Sequence, residues 1–274
     1  MRPLLCLLCS AALLLAAQPK RVVSQTVGTD ELLLALAEPS QIAALSHLAR
    51  DPSFSPVSKE AARHPALQDS DAESVLRFKP DLVLAASYTR PETLALLKRL
   101  KVPLLVLERF ESLEDTRANI RLLGARLGRE AQAEALLASM QARTNALRLR
   151  LEGARPVRVL AASIFPFTAG ADTTFQDLCE HAGAINVAAE AGLRGHQPTP
   201  AEAVLGWGAE VLVASDEEPD LAARLAKVPP YKFLPALKAG KLVLLPGPLM
   251  SATGHHRLDA YEALARALHP ERFR

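Results

Sequence analysis

Residues 73–85 read ESVLRFKPDLVLA, and residues 202–214 read EAVLGWGAEVLVA. At a constant offset of 129, with no gap, Glu73 aligns with Glu202, Val75 with Val204, Leu76 with Leu205, Phe78 with Trp207, Asp81 with Glu210 and Ala85 with Ala214. Each copy is a short helical stretch opened by an acid, an aromatic residue at a turn, and an apolar run introduced by a second acid. An apolar run of this length between helical segments reads as a strand buried on both faces of a parallel sheet. Apolar patterns recur by chance, but the shared Glu, Val-Leu, aromatic and acid in register make two related α/β lobes the better reading.

The flanking sequence extends each copy. Strands are expected at Arg21–Gln25, Gln41–Leu45, Asp81–Ala85 and Leu104–Leu107, then at Val157–Ala162, Glu210–Ala214 and Lys241–Leu245. Helices are expected from Asp30 to Ala37, capped by Thr29 with Asp30 and Glu31 in the first turn. Others are expected at Pro91–Leu100, Thr174–His181, Pro200–Leu205, Leu221–Lys227 and Arg257–Leu268. This βα alternation is that of parallel sheets covered by helices. Between the lobes, residues 113–152 hold no proline, and Ala133, Leu136, Leu137, Met140, Thr144, Leu147 and Leu151 form one helical stripe. Gly124 and Gly128 suggest a break ahead of Arg129–Glu152, which as one helix is about 36 Å long and reads as a strut between the lobes.

Composition narrows the function. With 49% hydrophobic residues among 274, a disordered chain is excluded. Lys and Arg total 32 against 30 Asp and Glu, with no long block of either sign, so nucleic-acid binding has no electrostatic support. Few aromatics (4%) and 20 prolines argue against a β-sandwich. Met1-Arg2-Pro3 leads into Leu4–Ala17, 14 uncharged residues, which is the pattern of a signal peptide cut after Ala16-Ala17. Leu5 and Leu8, not small residues, precede Cys6 and Cys9, which favours a soluble secreted form over a lipoprotein. Cys179 then stands alone, so no internal disulfide is expected. No later apolar run reaches 18 residues.

In open α/β sheets, ligands meet the loops beyond the carboxyl ends of the strands. That rule selects the loops holding His47, Tyr88, Arg90, Phe165, Phe167, His255 and His256. The aromatics offer flat apolar surface for a macrocycle, and Arg90 suits a carboxylate, phosphate or catecholate. A neutral imidazole from His255 or His256 can ligate haem iron, corrinoid cobalt or a bare ion. Adjacent histidines rarely point the same way, so at most one faces the ligand. His47 and one of them can also clamp an ion with Asp51, although no fourth ligand is evident. His64, His181, His196 and His269 read as surface or core residues, and Cys179, Trp207, Tyr231 and Phe233 as packing residues. No G-x-S-x-G, H-E-x-x-H or G-x-x-x-x-G-K motif supports an enzyme.

The chain resembles the periplasmic binding proteins for cobalamin, ferric siderophores and haem that serve ATP-driven importers. The likeness is carried by RVVSQTVGTDELLLALA and IAALSHLARDP within 21–52, the paired Glu-helix-strand units, the strut, FPFTAG at 165–170, CEHAGAINVAAEAG at 179–192 and PGPLMSATGHHRLDAYEALARAL at 246–268. It implies an α/β fold of two Rossmann-like lobes joined by a single long α-helix, with the ligand cleft between them. The expected divisions are a signal peptide over 1–17, an N-terminal lobe over 18–110, a connecting helical segment over 111–153 and a C-terminal lobe over 154–274. The resemblance further implies a secreted monomer with no intrinsic cofactor, handing a metal chelate to an ABC importer's permease and ATPase. Docking through one acid per lobe falls on Glu73 and Glu202. FPFTAG leans toward the corrinoid receptors, whereas the GHH loop lacks the aromatics expected around a corrin. A receptor for free zinc or manganese ions, or for an oxyanion, is the alternative on the same scaffold.

Overall fold

In the computed structural model, which describes residues 18–274 except Pro166 and Glu218, ten strands form two four-stranded sheets and one two-stranded sheet. The predicted export segment, with Cys6 and Cys9, lies outside the described residues. The first sheet holds β1 (Val22–Ser24), β2 (Ile42–Ala44), β3 (Leu82–Ala86) and β4 (Leu104–Leu107) in the order β2-β1-β3-β4, all parallel. The second half contributes β5 (Val157–Ala161), β6 (Phe167–Ala169), β7 (Ala184–Asn186), β8 (His196–Pro198), β9 (Val211–Ser215) and β10 (Leu242–Leu245). Its sheet runs β7-β5-β9-β10, again all parallel, so both lobes have the same topology. The antiparallel pair β6–β8 is an addition found only in the second lobe.

The repeat holds in register. Val22 pairs with Leu82 in the first sheet as Val159 pairs with Val211 in the second. Beside each pair, an arginine secures the turn before the strand. Arg21 Nε and Nη2 donate to Phe78 O and Arg21 Nε to Lys79 O, while Arg158 donates to Trp207 O and Gly208 O. Lys79 and Gly208 both take the left-handed conformation, at φ 47° and 67°. The two acids of the repeat also have matching employment. Asp81 accepts the backbone N–H of Lys20 and Arg21, and Glu210 takes both terminal nitrogens of Arg155.

Strand side chains alternate between two layers. Val22, Leu82 and Leu84, with Val159 and Val213, face one core that runs continuously through both lobes. Val23 and Val83 face an outer core in the first lobe, and Leu160 and Leu212 face one in the second. The shared core follows a helical hairpin. Helix Leu113–Leu127 is capped by Ser112 and ends at Gly128, whose φ of 69° suits glycine. Helix Glu130–Arg150, about 31 Å long, then carries the chain from the first lobe to the second. Arg129 donates to Leu36 O (3.2 Å) at its start, and Arg143 pairs with Asp259 (2.7 Å) and Glu262 (2.9 Å) farther on. Gly128 makes the expected break. Gly124 stays helical because it is where the two helices meet, a Cβ there lying 2.5 Å from that of Ala133.

Several local expectations are corrected. The first helix begins at Val27, capped by Thr26 with Thr29 completing the capping box. The helix expected over 200–205 is a short 3-10 turn, Ala203–Gly206. Phe233 is 52% exposed, lying under the Lys232 ammonium, whereas Tyr231 and Cys179 are buried as expected. The short strands β6, β7 and β8 carry no long apolar run and were not anticipated.

Candidate functional site

The carboxyl ends of both sheets open on cavities, the first shared between the lobes and the second walled by the second lobe alone. The first, about 390 Å3, collects residues after β1 (Gln25, Thr26), after β2 (Ser46, His47) and after β3 (Tyr88, Arg90), and is completed from the second lobe by Pro248, Ser251 and Thr253. The second, about 440 Å3, lies at the ends of β5 and β9, with Phe165, Phe167, Phe175, His196 and Met250 in its wall. His47, Tyr88 and Arg90 thus share one cavity, and Phe165 and Phe167 share the other. His255 and His256 line neither.

Each cavity has its own construction. Thr26 caps the helix Val27–Leu36, so the positive end of that helix opens on the first cavity. Gln25, 3% exposed, sits in its wall with neither amide atom hydrogen-bonded. The Tyr88 ring stands edge-on to Phe110 at 5.2 Å, and burial of its hydroxyl end raises its pKa. Arg90 lies 3.7 Å from Asp69 with both side chains more than half exposed, a loose pair that leaves the guanidinium available. In the second cavity the β6–β8 pair carries Phe167 into the wall. Thr168 Oγ1 donates to Ala161 O (3.1 Å) and Asn186 Nδ2 to Ala169 O (2.9 Å), fixing β6 to the sheet.

Behind the first cavity lies a polar seam that sequence reasoning did not assign. Glu31, 1% exposed, borders the cavity while its Oε2 has no hydrogen-bond partner. Burial pushes its pKa up to about 7 against the opposing pull of His256 and Arg257. Asp30, fully buried, is likewise raised to about 7 by burial, although Ser46 donates its backbone N–H (3.0 Å) and its hydroxyl. His256 Nδ1 lies 2.7 Å from Asp259 Oδ2, which raises the imidazole pKa. The His255 ring lies tilted 4.3 Å from that of His256, and burial lowers its pKa to about 4, so it is neutral. The available signal was the Asp30-Glu31 pair standing directly before the apolar run LLLALA. Two adjacent acids in a helix buried nearly all round need a stronger reason than the helix dipole.

Glu73 and Glu202, the acids of the repeat, are both exposed. Glu73 pairs with Arg77 one turn on at 2.8 Å. Among the described residues, no three His, Cys, Asp or Glu side chains are grouped as a metal-ion site requires.

Two lobes of one topology, a helix crossing between them and cavities at the facing strand ends define a substrate-binding protein of the transport class. The chain belongs to the periplasmic binding protein family, whose model matches residues 22–249. Its members are binding components of ABC transport and not enzymes. The chain is 27% identical over 233 residues to the molybdate-binding protein MolA of Haemophilus influenzae, covering 76% of this chain and 66% of that one, just under two thirds of its length. The apo structure of the periplasmic heme-binding protein RhuT from Roseiflexus sp. RS-1 is 26% identical, with a TM-score of 0.77 over 90% of this chain and 98% of that one. The periplasmic heme-binding protein BhuT, solved with two hemes, is also 26% identical, with a TM-score of 0.78 over 92% and 99%.

Proposed function

We propose that the protein captures a bulky metal chelate (haem, a corrinoid or a ferric siderophore) between its lobes and delivers it to the permease and ATPase of an ABC importer. The observation that carries this reading is the aromatic rim of the cleft. Phe54 and Tyr88 on the first cavity, and Phe165 and Phe167 on the second, are 48%, 58%, 64% and 49% exposed. Large exposed apolar side chains gathered at cavity mouths are a mark of a ligand surface. Two relatives at 26% identity whose names state haem binding add support to haem.

Within the cleft, Tyr88, Phe165 and Phe167 supply stacking surface, and His47 and Arg90 meet the polar edge of the ligand. His255 and His256 act from behind Glu31. Glu73 and Glu202, in register and exposed on separate lobes, are the docking acids toward the permease. Residues 1–17 direct export, and the mature protein works as a monomer from 18–110 and 154–274 bridged by 111–153.

A second reading, an oxyanion receptor, is favoured by the helix N-terminus at the first cavity and by the 27% identity to MolA. Size weighs against it. The first cavity holds the volume of about thirteen liquid waters, well above what a tetraoxoanion needs. Calorimetric titration with haem, cobalamin, a ferric catecholate, a ferric hydroxamate and molybdate decides the matter. One chelate binding near one-to-one, weakened by Tyr88→Ala or Phe167→Ala, is the expected result. Binding of molybdate alone, unaffected by Phe167→Ala, overturns it.

A further inference from the structure

The two lobes mesh behind the first cavity through a pair of glycines. A Cβ on Gly28, in the first turn of helix Val27–Leu36, would stand 2.1 Å from Thr253 Oγ1 of the second lobe. A Cβ on Gly254 would stand 2.3 Å from Glu31 Oε2 and 2.9 Å from Glu31 Cβ. Gly28 and Glu31 lie three residues apart, hence on one face of the helix, and Thr253 and Gly254 are consecutive. Each side therefore presents one glycine and one side chain to the other. Thr253 is held from a second direction, its carbonyl accepting Thr116 Oγ1 at 3.0 Å.

We propose that Glu31 is a positioning residue which, with Gly28, clasps the 251–256 loop of the second lobe onto the first-lobe helix and so sets the width of the ligand cleft. Gly28, Glu31 and Thr253 all line the first cavity, so opening the clasp widens the wall against which a ligand rests. The consequence for ligand retention rests on the binding reading above. The clasp itself belongs to the ligand-free chain and is tested without a ligand.

The charged surroundings give the clasp a pH sign. Glu31 faces Asp30 on its own helix, Tyr88 from the loop after β3, and His256 and Arg257 from the second lobe. Asp259 and Arg143 stand beyond His256. Closure buries the Glu31 carboxyl and raises its pKa to about 7. Opening returns it to water and to the ordinary carboxylate range. The closed form thus binds the proton more tightly, and its advantage is lost as pH rises through about 7. His256 keeps its Asp259 partner within the second lobe whether or not the seam is open.

Amide hydrogen exchange on the ligand-free protein tests the proposal. Gly254→Ala is expected to speed exchange about tenfold in both 27–36 and 251–258 while leaving β5 and β9 unchanged. Gly28→Ala, made from the opposite lobe, should do the same. Glu31→Gly added to Gly254→Ala removes every atom of the clash, Cβ included, and should restore 251–258 to the rate of Glu31→Gly alone. After correction for intrinsic exchange, wild-type protection of 251–258 should fall about tenfold between about pH 6 and pH 8, and that of Glu31→Gln should stay level. Unchanged exchange in both glycine variants, changes confined to the substituted segment, or parallel pH profiles for wild type and Glu31→Gln each overturn it. Failure of every chelate to bind leaves these exchange results standing and removes only the binding reading.

Discussion

Asp30 and Asp177 occupy matching places in the two lobes, and their surroundings differ. Each is the fourth residue past a capping threonine, Thr26 or Thr173, in the first long helix of its lobe. Both are buried. Asp30 meets only hydroxyls and a backbone N–H, from Ser24 and Ser46, and burial drives its pKa up to about 7. Asp177 Oδ2 accepts from Arg257 Nη1 at 2.9 Å and from the Tyr261 hydroxyl, and its Oδ1 accepts the Leu113 N–H at 2.9 Å. Arg257 Nη2 reaches on to Phe110 O at 2.7 Å. One backbone position thus serves two purposes. In the first lobe it is a self-contained, protonable group. In the second it is an ion pair that holds the start of the interlobe link, residues 110–113, against the lobe it enters.

The sharpest way to break this comparison is Asp177→Ala. It leaves Arg257, only 2% exposed, without its counter-charge. Breaking a buried pair from one side costs about 3–5 kcal/mol, read as a fall in the denaturant midpoint at constant slope. Asp30→Asn near pH 7 removes no ion pair and should cost far less. Equal losses would show that the two positions do the same work.

A second prediction uses pH. Because the Asp30 pKa is raised from its ordinary 3.8, the folded state binds that proton more tightly than the unfolded chain. Its contribution is fully present below about pH 4 and is lost as pH rises through about 7. Across that window wild-type stability should fall by about 4 kcal/mol on account of Asp30, and Asp30→Asn should remove that share of the decline, leaving the share due to Glu31. A profile as steep in Asp30→Asn as in wild type would assign the titration to another group.

These aspartates also mark what the sequence could reveal. The repeat predicted the two related lobes, and Arg21 and Arg158 complete it in three dimensions through the same pair of turn carbonyls. Long periodic segments were legible because burial dictates their pattern, as in Thr174–His181 and Arg257–Leu268, which match the expected bounds. The β6–β8 pair was not, because three-residue strands at a cavity rim carry no core-facing alternation. Loops beyond the strand ends do lie where the sheet topology delivers them, but they divide between two cavities, and His255 and His256 line neither. What a loop residue faces was not legible. Whether His256 meets a ligand or Glu31 depends on Gly28 and Gly254, whose missing side chains let the lobes approach.

The lobes differ again at the cleft, where the first side adds His47 and Arg90 to its aromatics and the second is walled mainly by phenylalanines. Phe167→Ala and Arg90→Ala should each weaken chelate binding about five- to tenfold, near 1 kcal/mol, typical of single interfacial contacts. Added salt should reduce the Arg90 contribution and leave that of Phe167 unchanged. Salt sensitivity that survives Arg90→Ala would place the ligand's charge elsewhere.

The smallest effect on the molecule itself is expected where the repeat is most exact. Glu73 and Glu202 are exposed, so Glu73→Arg and Glu202→Arg should leave the unfolding midpoint and ligand affinity unmoved. On the docking reading, their effect falls on uptake by cells carrying the importer. On that reading, an acid that meets a positive charge of the permease becomes, on reversal, a like charge pressed against it, which lowers the association rate and changes its sensitivity to salt. The two positions are not identical in this respect. Glu73 is already engaged by Arg77 at 2.8 Å and must exchange that partner on docking. Glu202 caps the 3-10 turn without a side-chain hydrogen bond. Reversal at Glu202 should therefore depress uptake more than reversal at Glu73, and Arg77→Ala should raise uptake by freeing Glu73. Uptake indifferent to both reversals would mean that the repeated acids serve only their helix ends, and that the symmetry of the lobes stops at the fold.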